Sequence, residues 1–357
     1  MFPVPFLKSG AALFRHLIVL QALCCFYVAL GANYTLDTLL KGDAFFEAFN
    51  FETIDDPTHG TVDYVDQATA EAAGMLNVTS LTGAVRFGAD ASSVVAADAR
   101  GRKSVRLHSK ATYADGGLFV LDLAHMPGGC GQWPAFWLLG PEPWPENGEV
   151  DIIEQVDLAT QTLTTLHTTE GCSMDGTNSS MTGSWAAGDD ASTEATDCYI
   201  DAPGQWENQG CQIVADSPVS FGQALNGAGG GVYALEWVAD DHFAAWFWSA
   251  RDGGAPADVK ARDPDVASWG EPYAHFALGD NCPGAQHFAD LALIFDLTFC
   301  GDWSGYDQPY GCADEIAANG WPATCDSFVR DYPAEFSDAY WLVNELAVYS
   351  PTTLGRQ

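Results

Sequence analysis

Short runs of alternating apolar residues, each cut off by glycine or by Asp/Pro-rich sequence, set the strongest limit on what this chain can build. They recur at 104–109, 117–123, 149–153, 233–237, 243–248 and 340–349. A period of two puts every second side chain on one face, so each run predicts a strand with one side turned to a core. Long helical periodicity is scarce, and the expected fold class is all-β, an antiparallel β-sandwich. No internal repeat, heptad pattern or linker interrupts residues 33–350, which are read as one domain with a short tail at 351–357. The glycine-rich stretch 226–231 lacks the Lys-Ser/Thr ending of a phosphate loop and is read as a turn.

Residues 1–32 have a different character. Lys8, Arg15 and His16 come before an apolar run from Leu17 to Ala32 that contains Gln21 and ends in the small residues Ala29, Gly31 and Ala32. This is the pattern of a secretory signal peptide cut before Asn33, and the run is shorter than the roughly 20 residues that cross a bilayer. An uncleaved anchor is the alternative. Secretion is expected, and removal of the leader takes Cys24 and Cys25 with it. Eight cysteines remain: Cys130, Cys172, Cys198, Cys211, Cys282, Cys300, Cys312 and Cys325. An even set in an oxidising compartment predicts four disulfides, with their pairing open. No C-x-x-C pair or H-E-x-x-H pattern points to zinc. Asn33, Asn77 and Asn178 begin N-glycosylation sequons.

The balance of charge excludes some partners. With 48 Asp+Glu against 14 Lys+Arg and a net charge of -34, the chain repels nucleic acid and anionic membrane surfaces. A neutral polysaccharide meets no such barrier, and 12 Trp, 12 Tyr and 20 Phe supply flat apolar faces.

The segment with chemical content is Glu149-Val-Asp-Ile-Ile-Glu154. In a regular strand Glu149 and Asp151 share a face, while Glu154 points the other way. One extra residue, a β-bulge around Ile152-Ile153, returns Glu154 to the carboxylate face and leaves both isoleucines to pack. Two glutamates so placed fit the ~5–5.5 Å separation of a retaining glycosidase. One carboxylate must then be ionised and the other protonated. On this reading Glu149 is the nucleophile, Glu154 the acid and then the base, and Asp151 the group between them that tunes the pair. A solvated acidic strand face accounts for the spacing equally well.

Glu149–Glu154 also matches the active-site signature E-[ILV]-D-[IVF]-[VILMF]-E of glycoside hydrolase family sixteen, bulge residue included. The surrounding segments 56–60, 64–69, 104–106, 125–127, 131–137, 165–168, 297–303 and 340–349 agree in order, so the chain resembles the family's secreted fungal endo-1,3(4)-β-glucanases, or laminarinases, from about residue 33 to 350. The resemblance implies a concanavalin-like jelly roll with an open concave cleft for a β-glucan chain. It places Trp137, Trp144 and Trp303 along the cleft, Arg106 on sugar hydroxyls and His167 beside the acids. Indole stacks on the C–H face of a pyranose and guanidinium binds its hydroxyl rim. A structural role for Arg106 or His167 stays open, Trp133 is read as core, and the other histidines are unassigned. Gln155 and Asp157 stand where laminarinases often carry Gly and Asn, and Asp63 where relatives can carry Asn, which leaves linkage preference open.

The implied activity is retaining hydrolysis of internal β-1,3 bonds, with mixed-linkage β-1,3/1,4 glucan also in range. Transglycosylation by the same residues is one alternative. A non-catalytic β-glucan recognition protein is another, although such proteins typically lose the acids this chain keeps. No organic cofactor is expected. Some relatives hold a structural calcium, for which no ligands can be chosen among so many acids. A monomer is expected.

Overall fold

The alternating runs form two antiparallel sheets of eight strands each in the computed structural model, which describes residues 34–352 apart from 178–179, 191, 306–310 and 323. The front sheet has the order Ser184–Trp185, Cys211–Val214, Leu163–His167, Glu149–Glu154, Gln132–Leu139, Leu291–Phe299, Arg106–Tyr113, Phe49–Phe51. The back sheet runs Ala274–Ala277, His242–Ser249, Gly231–Val238, Gly116–His125, Tyr340–Pro351, Val85–Gly88, Leu76–Val78, with Tyr34–Leu40 also paired to the long last strand. Many neighbours are distant in sequence, as in a jelly roll, so the central strands of the front sheet come from three separate stretches of chain.

Five of the six expected runs lie within single strands. The sixth, 104–109, is divided: Arg102–Ser104 pairs in parallel with Val62–Tyr64, whereas Arg106–Tyr113 joins the front sheet. Val105, between the two, is buried in the core. Of the turn expected at 226–231, Asn226 and Gly227 instead close a short helix, Gly222–Gly227, Gly231 opens the next strand, and the turn itself passes through Gly229 and Gly230, both with positive φ. A Cβ at Gly230 would lie 2.2 Å from the Leu123 carbonyl oxygen, so only glycine fits there.

The core lies between the sheets. Phe295 is its hub, with ring centroids 4.3 Å from Phe136, 5.4 Å from Phe87, 5.5 Å from Trp341, 5.8 Å from Phe45 and 6.0 Å from Phe49. These rings come from the front sheet, the back sheet and the helix Asp43–Glu47, so their packing ties the layers together. Aromatic pairs of this kind add about 0.5–1.5 kcal/mol each beyond the area they bury.

All eight cysteines pair, as Cys130–Cys312, Cys172–Cys282, Cys198–Cys211 and Cys300–Cys325. Asn77 is exposed on the edge strand Leu76–Val78, within reach of a glycosylating enzyme. The expected leader, Asn33 and Asn178 lie outside the described residues. Among the described residues no helix is long and apolar enough to cross a membrane.

The Cys130–Cys312 bridge joins residues 182 apart. Replacing both cysteines by alanine should lower the unfolding free energy by about 2–5 kcal/mol, read from guanidinium denaturation under non-reducing conditions. Non-reducing peptide mapping should recover the four pairs.

Candidate active site

The acidic strand breaks its rhythm where the carboxylates require it. Against Leu163–His167, Asp151 pairs with Thr165 and Glu154 with Leu163, three steps on one strand for two on the other. Against Gln132–Leu139, Asp151 lies opposite Trp137 and Ile153 opposite Phe136. The extra residue turns Glu154 back to the face of Glu149 and Asp151, while Val150, Ile152 and Ile153 all enter the core. The expected bulge is therefore present, and the three acids share one face of the front sheet.

Each glutamate has its own indole donor. Trp144 Nε1 donates to Glu149 Oε2 at 2.8 Å, from the loop that links the two central strands, and Trp133 Nε1 donates to Glu154 Oε1 at 2.7 Å. His167, opposite Glu149 on the next strand, brings Nε2 to 3.1 Å from Asp151 Oδ2 and 3.9 Å from Glu149 Oε1. The shorter approach has ion-pair distance but is out of line for a hydrogen bond.

Burial and mutual repulsion keep protons on this row. Burial first, then the charge of Asp151, raises Glu149 to about 7, with His167, Trp144 and Arg106 opposing. Burial and Asp151 hold Glu154 well above the ordinary carboxylate range. Burial and Asp296 do the same for Asp151. An indole N–H and His167 oppose the rise at each glutamate, and Arg106 adds to that pull at Glu149, which favours charge on Glu149 and a proton on Glu154. This is the division that a nucleophile and a general acid need.

The other expected residues separate by depth. Trp144 is the most open, at 38% exposure, with its ring centroid 6.3 Å from that of His167. Trp303 is half-buried and meets Trp133 edge to face at 5.4 Å. Trp137 lies in the floor, where its indole N–H donates to Asp296 Oδ1 at 2.9 Å. Arg106 is also in the floor, its guanidinium 4.9 Å from the Trp137 ring centroid and its Nε donating to Glu52 Oε2 at 2.7 Å. Only 5% of Arg106 is exposed, so any sugar contact it makes is through a narrow edge.

Trp133 corrects the expectation that it belongs to the core. It is half-buried and touches Glu154 directly. Its parity was the available signal: Trp133, Ala135, Trp137 and Leu139 alternate onto one face, so a cleft position for Trp137 entails one for Trp133. Asp296 was missed as well. It is the lone acid in the wholly buried strand Leu291–Phe299, apolar elsewhere except at Thr298, accepts from Tyr64 Oη at 3.1 Å as well as from Trp137, and lies 4.0 Å from Arg106 Nη1. Burial raises it to about 6 against the pull of Arg106 and Trp137. Glu52 continues the network outward to His108 Nδ1 at 2.9 Å.

Among the described residues one trio could share a cation, Glu149, Asp151 and His167, whose donor atoms lie within 4.8 Å of one another. Three donors, one of them nitrogen, fall short of the six to eight oxygens that calcium takes.

The raised carboxyls have a cost in stability. Glu149 moves from 4.5 to about 7 on folding, so the folded chain binds more protons than the unfolded chain between those values, and stability falls as pH rises through the interval. Glu149→Gln should therefore melt higher than the parent at about pH 8, with the gap closing toward about pH 4, as calorimetry would show.

Residues 49–349 match the model of the XgeA-like catalytic domain of glycoside hydrolase family 16. An endo-1,3(4)-β-glucanase of Arthroderma benhamiae is 40% identical over 326 residues, covering 90% of this chain and 66% of that protein. A probable glycosidase of Schizosaccharomyces pombe is 38% identical over 322 residues, covering 89% and 69%. The chain thus spans about two thirds of these relatives, and 40% of a longer one from Aspergillus niger. Among solved structures, laminarinase 16A of Phanerochaete chrysosporium, with β-glucans in donor and acceptor sites, superposes with a TM-score of 0.78 at 36% identity, covering 89% of this chain and 100% of that one. An elongating family 16 β-1,3-glucosyltransferase gives 0.76 at 37% identity with the same coverage. The bulged acidic strand, its two indole donors and a match running through both sheets place this chain in glycoside hydrolase family 16.

Proposed function

We propose that the chain is a secreted endo-1,3(4)-β-glucanase that cleaves internal β-1,3 bonds, and mixed-linkage glucan where the cleft admits it, with retention of configuration. The observation that carries this reading is the single face shared by Glu149 and Glu154, each held by its own indole N–H. In the first step the Glu149 carboxylate attacks the anomeric carbon while Glu154 gives its proton to the departing glycosidic oxygen, leaving a glycosyl ester on Glu149. In the second, Glu154 takes a proton from water, the water oxygen attacks the anomeric carbon, and the ester bond breaks. Asp151 and His167 lie beside Glu149 and adjust its charge as the ester forms and breaks. Trp144 and Trp303 supply apolar faces on either side of the row for neighbouring glucose units. The leader at 1–32 and the pairing of all eight cysteines favour an extracellular site of action. The expected monomer is part of the same proposal.

A second reading, transfer to a sugar hydroxyl in place of water, uses the same intermediate. It gains weight because one of the solved relatives is an elongating glucosyltransferase.

Glu154→Gln should lower turnover of laminarin by about 10²–10⁴. Glu149→Gln should abolish it, and laminarin cleavage at the parental rate by that variant would refute the assignment. Proton NMR of the first products should show the β-anomer. Products longer than the starting oligosaccharide at high substrate concentration would favour transfer, and a panel of laminarin, lichenan and branched fungal glucan would define the linkage.

A further inference from the structure

Three residues beyond Glu154 the chain carries another buried acid, Asp157, outside the catalytic row. Only 1% of it is exposed, and its backbone has φ of 58°, a left-handed conformation that costs most side chains energy. A carboxylate is expensive to bury unless donors surround it. Here Oδ1 accepts from the Gly131 N–H at 2.7 Å and from Ser304 Oγ at 3.0 Å, and Oδ2 accepts from the Gly305 N–H at 3.2 Å. The main chain of Asp157 is fastened too, its N–H to the Gln132 carbonyl and its carbonyl to the Gly129 N–H, both at 3.0 Å.

These donors belong to two segments that meet at the acid/base. Gly131 leads into the strand bearing Trp133. Ser304 and Gly305 directly follow Trp303, on the stretch that Cys300–Cys325 and Cys130–Cys312 fasten at its two ends. Trp303 abuts Trp133, and Trp133 donates to Glu154. The contacts therefore close a ring: Glu154, Trp133, Trp303, Ser304-Gly305, Asp157, and back along the chain to Glu154.

We propose that Asp157 is a positioning residue for the general acid/base. By pinning Ser304 and Gly305 to Gly131 it fixes Trp303 against Trp133, and so fixes the indole that orients Glu154. The carboxylate is specific to this task, because all three partners are donors and an ionised acid offers only acceptors. The proposal rests on the hydrolase reading only for its consequence in catalysis.

Asp157→Asn is the decisive variant. Asparagine tolerates the left-handed backbone, and its oxygen can serve Gly131 and Ser304, but its amide nitrogen must then confront the Gly305 N–H. With kcat/KM reporting the first chemical step, laminarin should be cleaved about tenfold more slowly. A 4-nitrophenyl laminaribioside, whose phenolate leaves without a proton from Glu154, should lose less than about twofold. Equal losses on both substrates, or no loss on either, would overturn the proposal, since general loosening of the fold does not discriminate by leaving group. An arm independent of activity uses protein labelled with ¹⁵N-tryptophan, in which the Trp133 indole signal is identified by its absence in Trp133→Phe. That signal should shift in Asp157→Asn and shift less in Ser304→Ala, which keeps both backbone donors. An unmoved signal refutes the proposal even if laminarin is not the substrate, whereas a shifted signal without laminarin cleavage would count against the hydrolase reading alone.

Discussion

A strand can line three acids along one face at positions one, three and six only if its two-residue rhythm is broken once. The break falls between Asp151 and Glu154, and the rest of the site depends on it. Without the extra residue Glu154 would enter the space filled by Ile152 and Ile153, and the core would take a carboxylate in place of apolar packing. The bulge satisfies both layers: three apolar side chains continue inward to the Phe295 cluster, while the acids remain outside. The large aromatic core is what holds such an irregular strand in a single register.

Charge crowding is the second constraint. Burial first, then Asp151, raises both glutamates, and burial with Asp296 beneath the row raises Asp151, so ionising all of them together is costly. The protein moderates this crowding with donors rather than with exposed cations. Trp144 and Trp133 each contribute one N–H, His167 lies beside Asp151, and Arg106 lies below, bridged to Glu52 and Asp296. The row gives up stability to keep its carboxyls raised, and retaining chemistry needs one glutamate charged to attack while the other keeps a proton to donate.

Much of this could be read in the chain. The strand runs, the even cysteine set, the acid row and the need for a bulge follow from local spacing, because a two-residue period and six consecutive letters carry that information. Trp133 was misread because tryptophan's tendency to pack was given more weight than its parity with Trp137. Asp296 was not legible, since one acid within an apolar strand has no pattern of its own and acquires meaning only from Tyr64, Trp137 and Arg106, which arrive from other parts of the chain.

Sequence alone thus determined the all-β class and an oxidised, sequon-bearing chain from residues near one another, whereas the candidate nucleophile and acid, even with a solvated acidic face on spacing, needed the resemblance running from about residue 33 to 350. The tertiary structure decided which cysteines pair, which indole serves which glutamate, that Arg106 lies in the floor with little of it exposed, and that Asp157 joins the Trp303 segment to the start of the Trp133 strand. Each of these is a contact between stretches far apart in sequence. The jelly-roll strand order brings them together, and that order is set by the burial of the whole core rather than by any local pattern.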